Sequence, residues 1–336
     1  MIEGVLLAIF AGLMLGLYAL PEKFTKDFKY ENTWSLFFLL TMFIVPIIAS
    51  TTLINGFGEI FGNMPSEIWI KMGLTSFLWG IGVMMWSKAI NHIGLSLGFS
   101  LFIGTIILVG SLLPYLEEDL PASNILTTIL IGLAVVLIGV FANGKAGLLR
   151  EKDEANLDDK KDGKGSMVTG ILIAIIGGLL ATGFSYANAA GRPYLHEASQ
   201  AQGNAEWVTA IAVMFPIFLS GGIVMTAYFL WELSKKKAWA GFKTPAFSKN
   251  FVLILIMAVF HYAASALFAF AAFKLGESGN TIGYAIFNTS CVVTAILSGI
   301  ITKEWIKASG KAKGFLYFGL GCMVLGILIV SYSNSL

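Results

Sequence analysis

One histidine lies near the middle of a long apolar stretch, Lys249–Ala272. His261 can donate and accept hydrogen bonds and can change charge near neutral pH. It is therefore a candidate for binding a polar solute, for carrying a proton, or for both. The alternative is a neutral imidazole that hydrogen-bonds within a helix bundle. Trp79 lies at a similar depth in an earlier apolar stretch. An indole ring can stack on the apolar face of a sugar ring while a histidine hydrogen-bonds its hydroxyls, so the pair predicts a sugar site.

Four other polar side chains interrupt apolar stretches. Asn188 is one, Tyr18 is another, and Tyr284 and Asn288 are four residues apart, so these two share a helix face. Each is a candidate for hydrogen-bonding the same solute. The alternative for each is an interhelical hydrogen bond worth about 1 kcal/mol.

Glu197 follows the sixth apolar stretch, close to Arg192 and His196. It is a second candidate for the proton site if this segment folds into a vestibule, and otherwise it lies in a solvated loop. The sequence has no HExxH, CxxC or P-loop motif and no Ser/His/Asp arrangement at useful spacing. We therefore expect no enzyme activity, no metal site and no cofactor, with a proton as the coupling ion.

The composition requires a membrane. Of the 336 residues, 57% are hydrophobic and 12% are charged, and the mean hydropathy is +0.79. Soluble domains carry roughly 25% charged residues, so a water-soluble fold could not cover this much apolar surface. The net charge of +2 does not suggest nucleic-acid binding. The expected partners are membrane lipids, a small solute and a proton, and no oligomeric state is assigned.

Crossing the hydrocarbon core takes about 20 mostly apolar residues, which predicts ten transmembrane helices. They run over Ile2–Leu20, Thr33–Ile54, Glu67–Ile90, Gly94–Leu116, Ser123–Ala142, Val168–Ala190, Glu206–Trp231, Lys249–Ala272, Gly279–Thr302 and Lys313–Tyr332. The third and fourth spans nearly touch, so one long kinked element is the alternative there. Of the 22 lysines and arginines, 19 fall on one side of this arrangement. Because cytoplasmic loops concentrate Lys and Arg, both termini are expected outside the cytoplasm.

The chain also contains an internal repeat. Gly12 of the first span corresponds to Gly178 of the sixth, and Gly98 of the fourth corresponds to Gly283 of the ninth. The predicted domains are therefore a first five-helix repeat (1–142), a cytoplasmic polar linker (143–166) and a second five-helix repeat (167–336). Five spans per repeat force the second half to insert upside down. Such a 5+5 inverted repeat is a recurring plan of secondary transporters, which hold solute near the midplane. Under this repeat, Trp79 and His261 are counterparts.

Several segments, in order along the chain, resemble the L-rhamnose–proton symporter family. They are Tyr30–Ser35, Trp79–Gly82, Ile93–Gly98, Asn188–Ala190, His196–Ala198 and Lys303–Trp305. The resemblance implies the ten-helix fold of the drug/metabolite transporter superfamily, the bacterial inner (plasma) membrane, and uptake of a deoxy sugar with a proton. The chain departs from the family at Val83 and Met85, where amide side chains are expected, and at His261, where aromatic residues are expected.

Together these observations predict an all-α membrane protein that takes up a monosaccharide, L-rhamnose or a related sugar, by proton symport with alternating access. Trp79 would stack on the sugar, and His261 or Glu197 would carry the proton. The remaining candidates, Asn188, His261, Tyr284, Asn288 and Tyr18, would hydrogen-bond the hydroxyls. The nearest alternative is an exporter of amino acids or drugs on the same fold. A membrane-embedded sensor and a channel are further alternatives.

Overall fold

The computed structural model describes residues 2–116, 120–155, 166–276, 279–333 and 335–336, and every regular element within these ranges is a helix. In this part of the chain, ten helices are long and apolar enough to cross a membrane, which confirms the predicted number. They are Ile2–Phe24, Tyr30–Leu53, Ser66–Ile90, Leu97–Leu116, Ser123–Asp153, Met167–Ala201, Glu206–Lys235, Phe247–Lys274, Gly279–Ile301 and Gly310–Ser333. We refer to them as the first to tenth spans.

The described residues form twelve α-helices and short 3₁₀ and π segments, and all of the α-helices except α4 belong to the spans. The α-helices are α1 (Ile2–Leu17), α2 (Tyr30–Leu39), α3 (Val45–Leu53), α4 (Phe57–Gly62), α5 (Ser66–Leu112), α6 (Ser123–Ala155), α7 (Met167–Ala181), α8 (Gly183–Ala201), α9 (Glu206–Lys235), α10 (Phe247–Lys274), α11 (Tyr284–Ile301) and α12 (Gly310–Ser333). A π-helix, Leu40–Ile44, joins α2 to α3 within the second span. Another, Gly279–Gly283, opens the ninth span.

The third and fourth spans are assigned to one helix, α5, but the chain reverses within it. A Cβ built on Gly98 would lie 3.7 Å from Cα of Ile90, whereas a straight helix separates residues eight apart by about 12 Å. The rings of Trp86 and Phe102 stack with centroids 5.7 Å apart. Two antiparallel spans are therefore joined with almost no loop, and the alternative of one kinked element is wrong.

The predicted linker begins as helix. α6 continues past Ala142 to Ala155, because its charged end is held by the segment that precedes α12. The Arg150 guanidinium lies 4.8 Å from the centroid of the Trp305 ring, and the Ser309 backbone N–H donates a 2.8 Å hydrogen bond to Oδ2 of Asp153. Residues 156–165 of the predicted linker lie outside the described residues.

Glycines allow the close approach of several helix pairs. A Cβ on Gly12 would lie 2.6 Å from the carbonyl oxygen of Phe287, which brings α1 against α11. A Cβ on Gly178 would lie 2.9 Å from the carbonyl oxygen of Phe102, which brings α7 against the second half of α5. The backbones therefore meet where these helices cross, and the spans form one packed bundle.

The basic residues divide the bundle into two ends. At the end that we call the lysine-rich end, Lys23 pairs with Glu304 at 2.6 Å and Lys236 pairs with Glu31. At the opposite end, Lys274 pairs with Glu206 at 2.5 Å. Ion pairs thus join residues near the ends of different spans on both sides of the apolar core.

Candidate functional site

A cavity of about 260 Å³ lies inside the bundle. Small-molecule sites generally measure about 300–1,000 Å³, so this cavity, slightly below that range, suits only a small solute. Half of its lining residues are aromatic. The aromatic lining residues are Tyr18, Tyr30, Trp34, Phe37, Phe38, Trp79, Trp86, Phe99, Phe102, Phe184, Phe229, Tyr284 and Phe287, and the polar ones include His261, Ser87, Ser265 and Asn288.

His261 projects from the middle of α10 into this cavity and is half-buried. Its Nδ1 atom lies 3.1 Å from the hydroxyl of Thr41, which belongs to the π-helix of the second span. The imidazole contacts three aromatic rings. Its centroid lies 4.9 Å from that of Tyr18, 5.5 Å from that of Phe37 and 5.5 Å from that of Phe218. The predicted midplane histidine is therefore enclosed by rings, with one hydroxyl on Nδ1.

Trp79 lines the same cavity from the third span. Its indole lies 5.1 Å from the Phe184 ring and 5.8 Å from the Phe218 ring. Phe218 also contacts His261. Trp79 and His261 thus lie on either side of Phe218, with the indole available as a flat wall of the cavity.

Tyr284 and Asn288 reach the cavity from α11. The amide of Asn288 donates a 2.9 Å hydrogen bond to the backbone carbonyl of Tyr284. The Tyr284 ring stacks toward Phe184, with centroids 6.3 Å apart. Tyr284 and Asn288 are four residues apart and were predicted to share a helix face. Both side chains line the cavity.

Tyr18 completes the set from the end of the first span. Its ring stacks on Phe37 at 5.4 Å and meets Trp34 edge-on at 6.4 Å. The structure therefore brings Tyr18, Trp79, His261, Tyr284 and Asn288 together around one cavity.

Asn188 and Glu197 lie elsewhere. Asn188 is fully buried in α8, outside the cavity lining, and its Nδ2 donates a 2.6 Å hydrogen bond to Oδ1 of Asn280 in the second π-helix. Glu197 is exposed near the end of the same helix. Neither side chain lines this cavity.

The cavity extends toward the lysine-rich end. Tyr30 lines it and is 54% exposed, so the cavity reaches the surface on that side. The opposite end is packed. There, Asn204 bonds both the N–H and the carbonyl of Asn55, at 2.8 and 2.9 Å, and Arg192 donates to the carbonyl of Ala272 at 3.0 Å. An exposed lining residue thus lies toward the lysine-rich end, whereas polar contacts join the segments at the opposite end.

Sequence reasoning missed several residues of the site. Thr41 carried no signal, because threonine is common in membrane helices. Trp34 and Glu22 lie at the cavity mouth, and the Trp34 indole N–H donates a 2.8 Å hydrogen bond to Glu22. Glu22 could have been found as the only carboxylate after Glu3 in the first 26 residues. Within the described ranges, no group of three or more His, Cys, Asp or Glu side chains is arranged to hold a metal ion.

Comparison with known proteins identifies relatives along nearly the whole chain. Residues 1–334 match the family described as L-rhamnose-proton symport protein (RhaT). The L-rhamnose-proton symporter of Yersinia pestis (strain Pestoides F) is 26% identical over 320 residues, which cover 91% of this chain and 89% of that protein. That of Pectobacterium carotovorum subsp. carotovorum (strain PC1) is 27% identical over 327 residues, with the same coverage. The chain therefore belongs to the L-rhamnose-proton symport protein family, a family of transporters rather than enzymes.

Proposed function

We propose that this protein takes up L-rhamnose or a closely related monosaccharide together with a proton, by alternating access. The observation that carries the proposal is the cavity, in which three indoles, a histidine, an amide and three phenols surround a space of about 260 Å³. The proteins named above, which are similar along 91% of the chain, are called L-rhamnose-proton symporters. Stacking surfaces combined with a few hydrogen-bonding groups suit a sugar.

In this proposal the residues that line the cavity have different roles, according to their side-chain chemistry. Trp79 stacks on the apolar face of the sugar. Tyr18, Tyr284 and Asn288 hydrogen-bond its hydroxyls. His261 does the same and also carries the coupling proton, because imidazole is the side chain whose charge changes near neutral pH. The large aromatic share of the lining favours a deoxy sugar, whose methyl group needs apolar contact.

The bundle would open alternately to the two sides of the inner membrane. The lysine-rich end faces the cytoplasm by the positive-inside rule, which places both termini on the other side. The cavity then opens to the cytoplasm, and the packed contacts around Asn55, Asn204 and Lys274 close the outer side. Asn188 would belong to that closure through Asn280. Glu197, exposed on the outer side of α8, would meet external protons.

Reciprocal contacts support the inverted repeat and, with it, the fold of the drug/metabolite transporter superfamily. A Cβ on Gly132 would lie 2.5 Å from Val330, and a Cβ on Gly319 would lie 2.6 Å from Asn143. Gly132 corresponds to Gly319, and Asn143 to Val330, at one constant offset in sequence. The fifth span therefore contacts the tenth as the tenth contacts the fifth. We accordingly propose two five-helix repeats, 1–142 and 167–336, joined by a cytoplasmic linker, 143–166.

The test is uptake into proteoliposomes with a panel of labelled sugars while external pH is recorded. We expect L-rhamnose to accumulate and the external medium to become more alkaline as protons enter with it. His261→Gln should abolish alkalinisation. His92→Gln is the matched control, since His92 lies outside the cavity lining, and it should behave as the wild type.

Two results would overturn parts of the proposal. Sugar uptake without alkalinisation would remove proton coupling. Indifference to every sugar, combined with competition by apolar cations or amino acids, would favour the exporter of drugs or amino acids instead.

A further inference from the structure

Thr41 uses its hydroxyl differently from four other threonines of the apolar helices. The hydroxyls of Thr51, Thr52, Thr75 and Thr105 each donate to the carbonyl four residues earlier on their own helix. The Thr41 hydroxyl instead donates to a carbonyl of another helix, that of Ala258 on α10, at 3.2 Å. Thr41 is fully buried and lies in the π-helix Leu40–Ile44. Such local distortions of a helix recur at functional sites.

The second partner of this hydroxyl is His261, whose Nδ1 lies 3.1 Å away. A hydroxyl has one proton to donate and lone pairs that accept. When the hydroxyl donates its proton to the Ala258 carbonyl, it accepts a hydrogen bond from the imidazole. In that arrangement Nδ1 carries a hydrogen, and in the neutral ring this leaves Nε2 as the acceptor.

No other protein group within the described part of the chain hydrogen-bonds the His261 ring. The surrounding rings of Tyr18, Phe37 and Phe218 present aromatic surfaces. His261 lines the cavity, so Nε2 is the ring nitrogen left for a solute or a proton.

We propose that Thr41 is a positioning residue that fixes His261 in the tautomer with hydrogen on Nδ1, so that Nε2 is the atom at which the ring gains and loses a proton. This inference rests on the proposed function only for the role of that proton. When a proton adds at Nε2, an N–H bond forms there and the ring becomes a cation, while the bond from Nδ1 to Thr41 is unchanged. When the proton leaves, the same lone pair returns. Neutral Nε2 accepts a hydrogen bond from a hydroxyl of the solute, whereas protonated Nε2 donates to its oxygen.

The groups that face His261 do not supply a competing charge. The titratable side chains that line the cavity with it are Tyr18 of the first span, Tyr30 of the second, and Tyr284 and Cys291 of the ninth. The carboxylates nearest to these along the chain are Glu22, which accepts a hydrogen bond from Trp34, and Glu31, which pairs with Lys236. Charge on the ring is thus set by the proton at Nε2 and by what occupies the cavity.

The direct test is nitrogen NMR of histidine-labelled protein in lipid nanodiscs, without solute. The chain has three histidines, and His261→Gln identifies the signals of interest. We expect the wild type to show hydrogen on Nδ1 and an unprotonated Nε2. Thr41→Val has nearly the same shape but no hydroxyl, and should shift the ring toward the other tautomer. Thr41→Ser should restore the wild-type spectrum. If Thr41→Val does not insert stably, Thr41→Ala removes the hydroxyl with less bulk.

Transport supplies the second readout. Thr41→Val should raise the half-saturating concentration of labelled L-rhamnose about tenfold, as loss of one positioning hydrogen bond implies, and should alter the pH profile of uptake. Thr41→Ser should keep both. A wild-type ring with hydrogen on Nε2, or a Thr41→Val spectrum equal to that of the wild type, would overturn the inference. Because the NMR needs no transport, a wild type that ignores every sugar would refute the proposed function alone.

Discussion

The indole Nε1 of Trp34 donates a 2.8 Å hydrogen bond to Oε1 of Glu22. This bond links the end of the first span to the first turns of the second, at the point where the cavity reaches the lysine-rich end. Trp34 lines the cavity and Glu22 does not, so the carboxylate acts on the cavity through the position of the indole. The position of the Trp34 indole in the cavity lining therefore depends on Glu22, which does not itself line the cavity.

We predict that Glu22→Leu raises the half-saturating sugar concentration about tenfold, since it removes the acceptor and leaves the indole N–H without its partner. Glu22→Gln keeps an acceptor oxygen and should stay within about threefold of the wild type. The measurement is initial uptake rate against sugar concentration. In a double-mutant cycle, Trp34→Phe combined with Glu22→Leu should cost no more than Trp34→Phe alone. Additive losses would show that the two residues act separately.

A second prediction separates the two asparagines that the sequence suggested as ligands. Asn288 lines the cavity, whereas Asn188 is buried against Asn280. Asn288→Ala should weaken sugar binding about five- to tenfold with little loss of thermal stability, because it removes a hydrogen-bonding group from the cavity wall. Asn188→Ala should leave binding nearly unchanged and lower the melting temperature, because it removes the buried hydrogen bond from Asn188 to Asn280.

Equilibrium binding and thermal unfolding of the two purified variants make the comparison. The opposite pattern, with Asn188→Ala weakening binding and Asn288→Ala lowering stability, would mean that the ligand reaches Asn188.

The number of spans was predictable because each crossing of the bilayer needs about 20 apolar residues. The ten stretches of that length correspond to the ten helices of the described residues that are long and apolar enough to cross a membrane. The sequence also pointed to cavity-lining residues such as His261 and Trp79, and His261 stood out because the chain has only three histidines.

The details that depend on packing between distant segments were not predictable. Nothing in the residues around Thr41 indicates a π-helix or a partner on α10, since that contact joins positions 220 residues apart. The sequence predicted the boundary between Ile90 and Gly94 but left one kinked element as the alternative, because so few residues separate the two apolar stretches. The helical continuation of α6 to Ala155 was also missed, because charge there suggested a solvated linker and its contacts with Trp305 and Ser309 come from the last third of the chain.

A third prediction concerns acid stability at the lysine-rich end. The hydrogen bond from Lys23 holds the pKa of Glu304 below the ordinary glutamate value of 4.5, and the charges of Lys23 and Arg150 contribute in the same direction. A carboxyl whose pKa is lowered by folding stabilises the folded state above its ordinary pKa. That stabilisation is lost as the pH falls through the lower, folded value.

As the pH is lowered from 6 to 3, the melting temperature of the wild type should therefore fall more than that of Glu304→Gln, which has no carboxyl to protonate. The effect should shrink in high salt, because the pair is partly exposed. Glu67→Gln is the matched control. Glu67 pairs with Lys71 at 3.4 Å and its side chain is 78% exposed, so this variant should follow the wild type. Equal slopes for wild type and Glu304→Gln would contradict the prediction.

The last prediction tests the close approach of the first and ninth spans. A Cβ on Gly12 would lie 2.5 Å from Cβ of Ser290 and 2.6 Å from the carbonyl oxygen of Phe287. Backbone atoms cannot move aside as a flexible side chain can, so Gly12→Ala must push α1 away from α11. Overpacking of this kind costs about 1–3 kcal/mol. Because α11 also carries Tyr284 and Asn288, the displacement should widen the cavity and weaken sugar binding.

Gly321→Ala provides the control. Gly321 lies in α12, and a Cβ there would meet no atom within 4 Å, so the substitution should be neutral or slightly stabilising through its helix propensity. Thermal unfolding in one lipid or detergent, together with sugar binding, compares the two variants. We expect a lower melting temperature and weaker binding for Gly12→Ala alone. Similar behaviour of the two variants would mean that the first and ninth spans are not in backbone contact at Gly12.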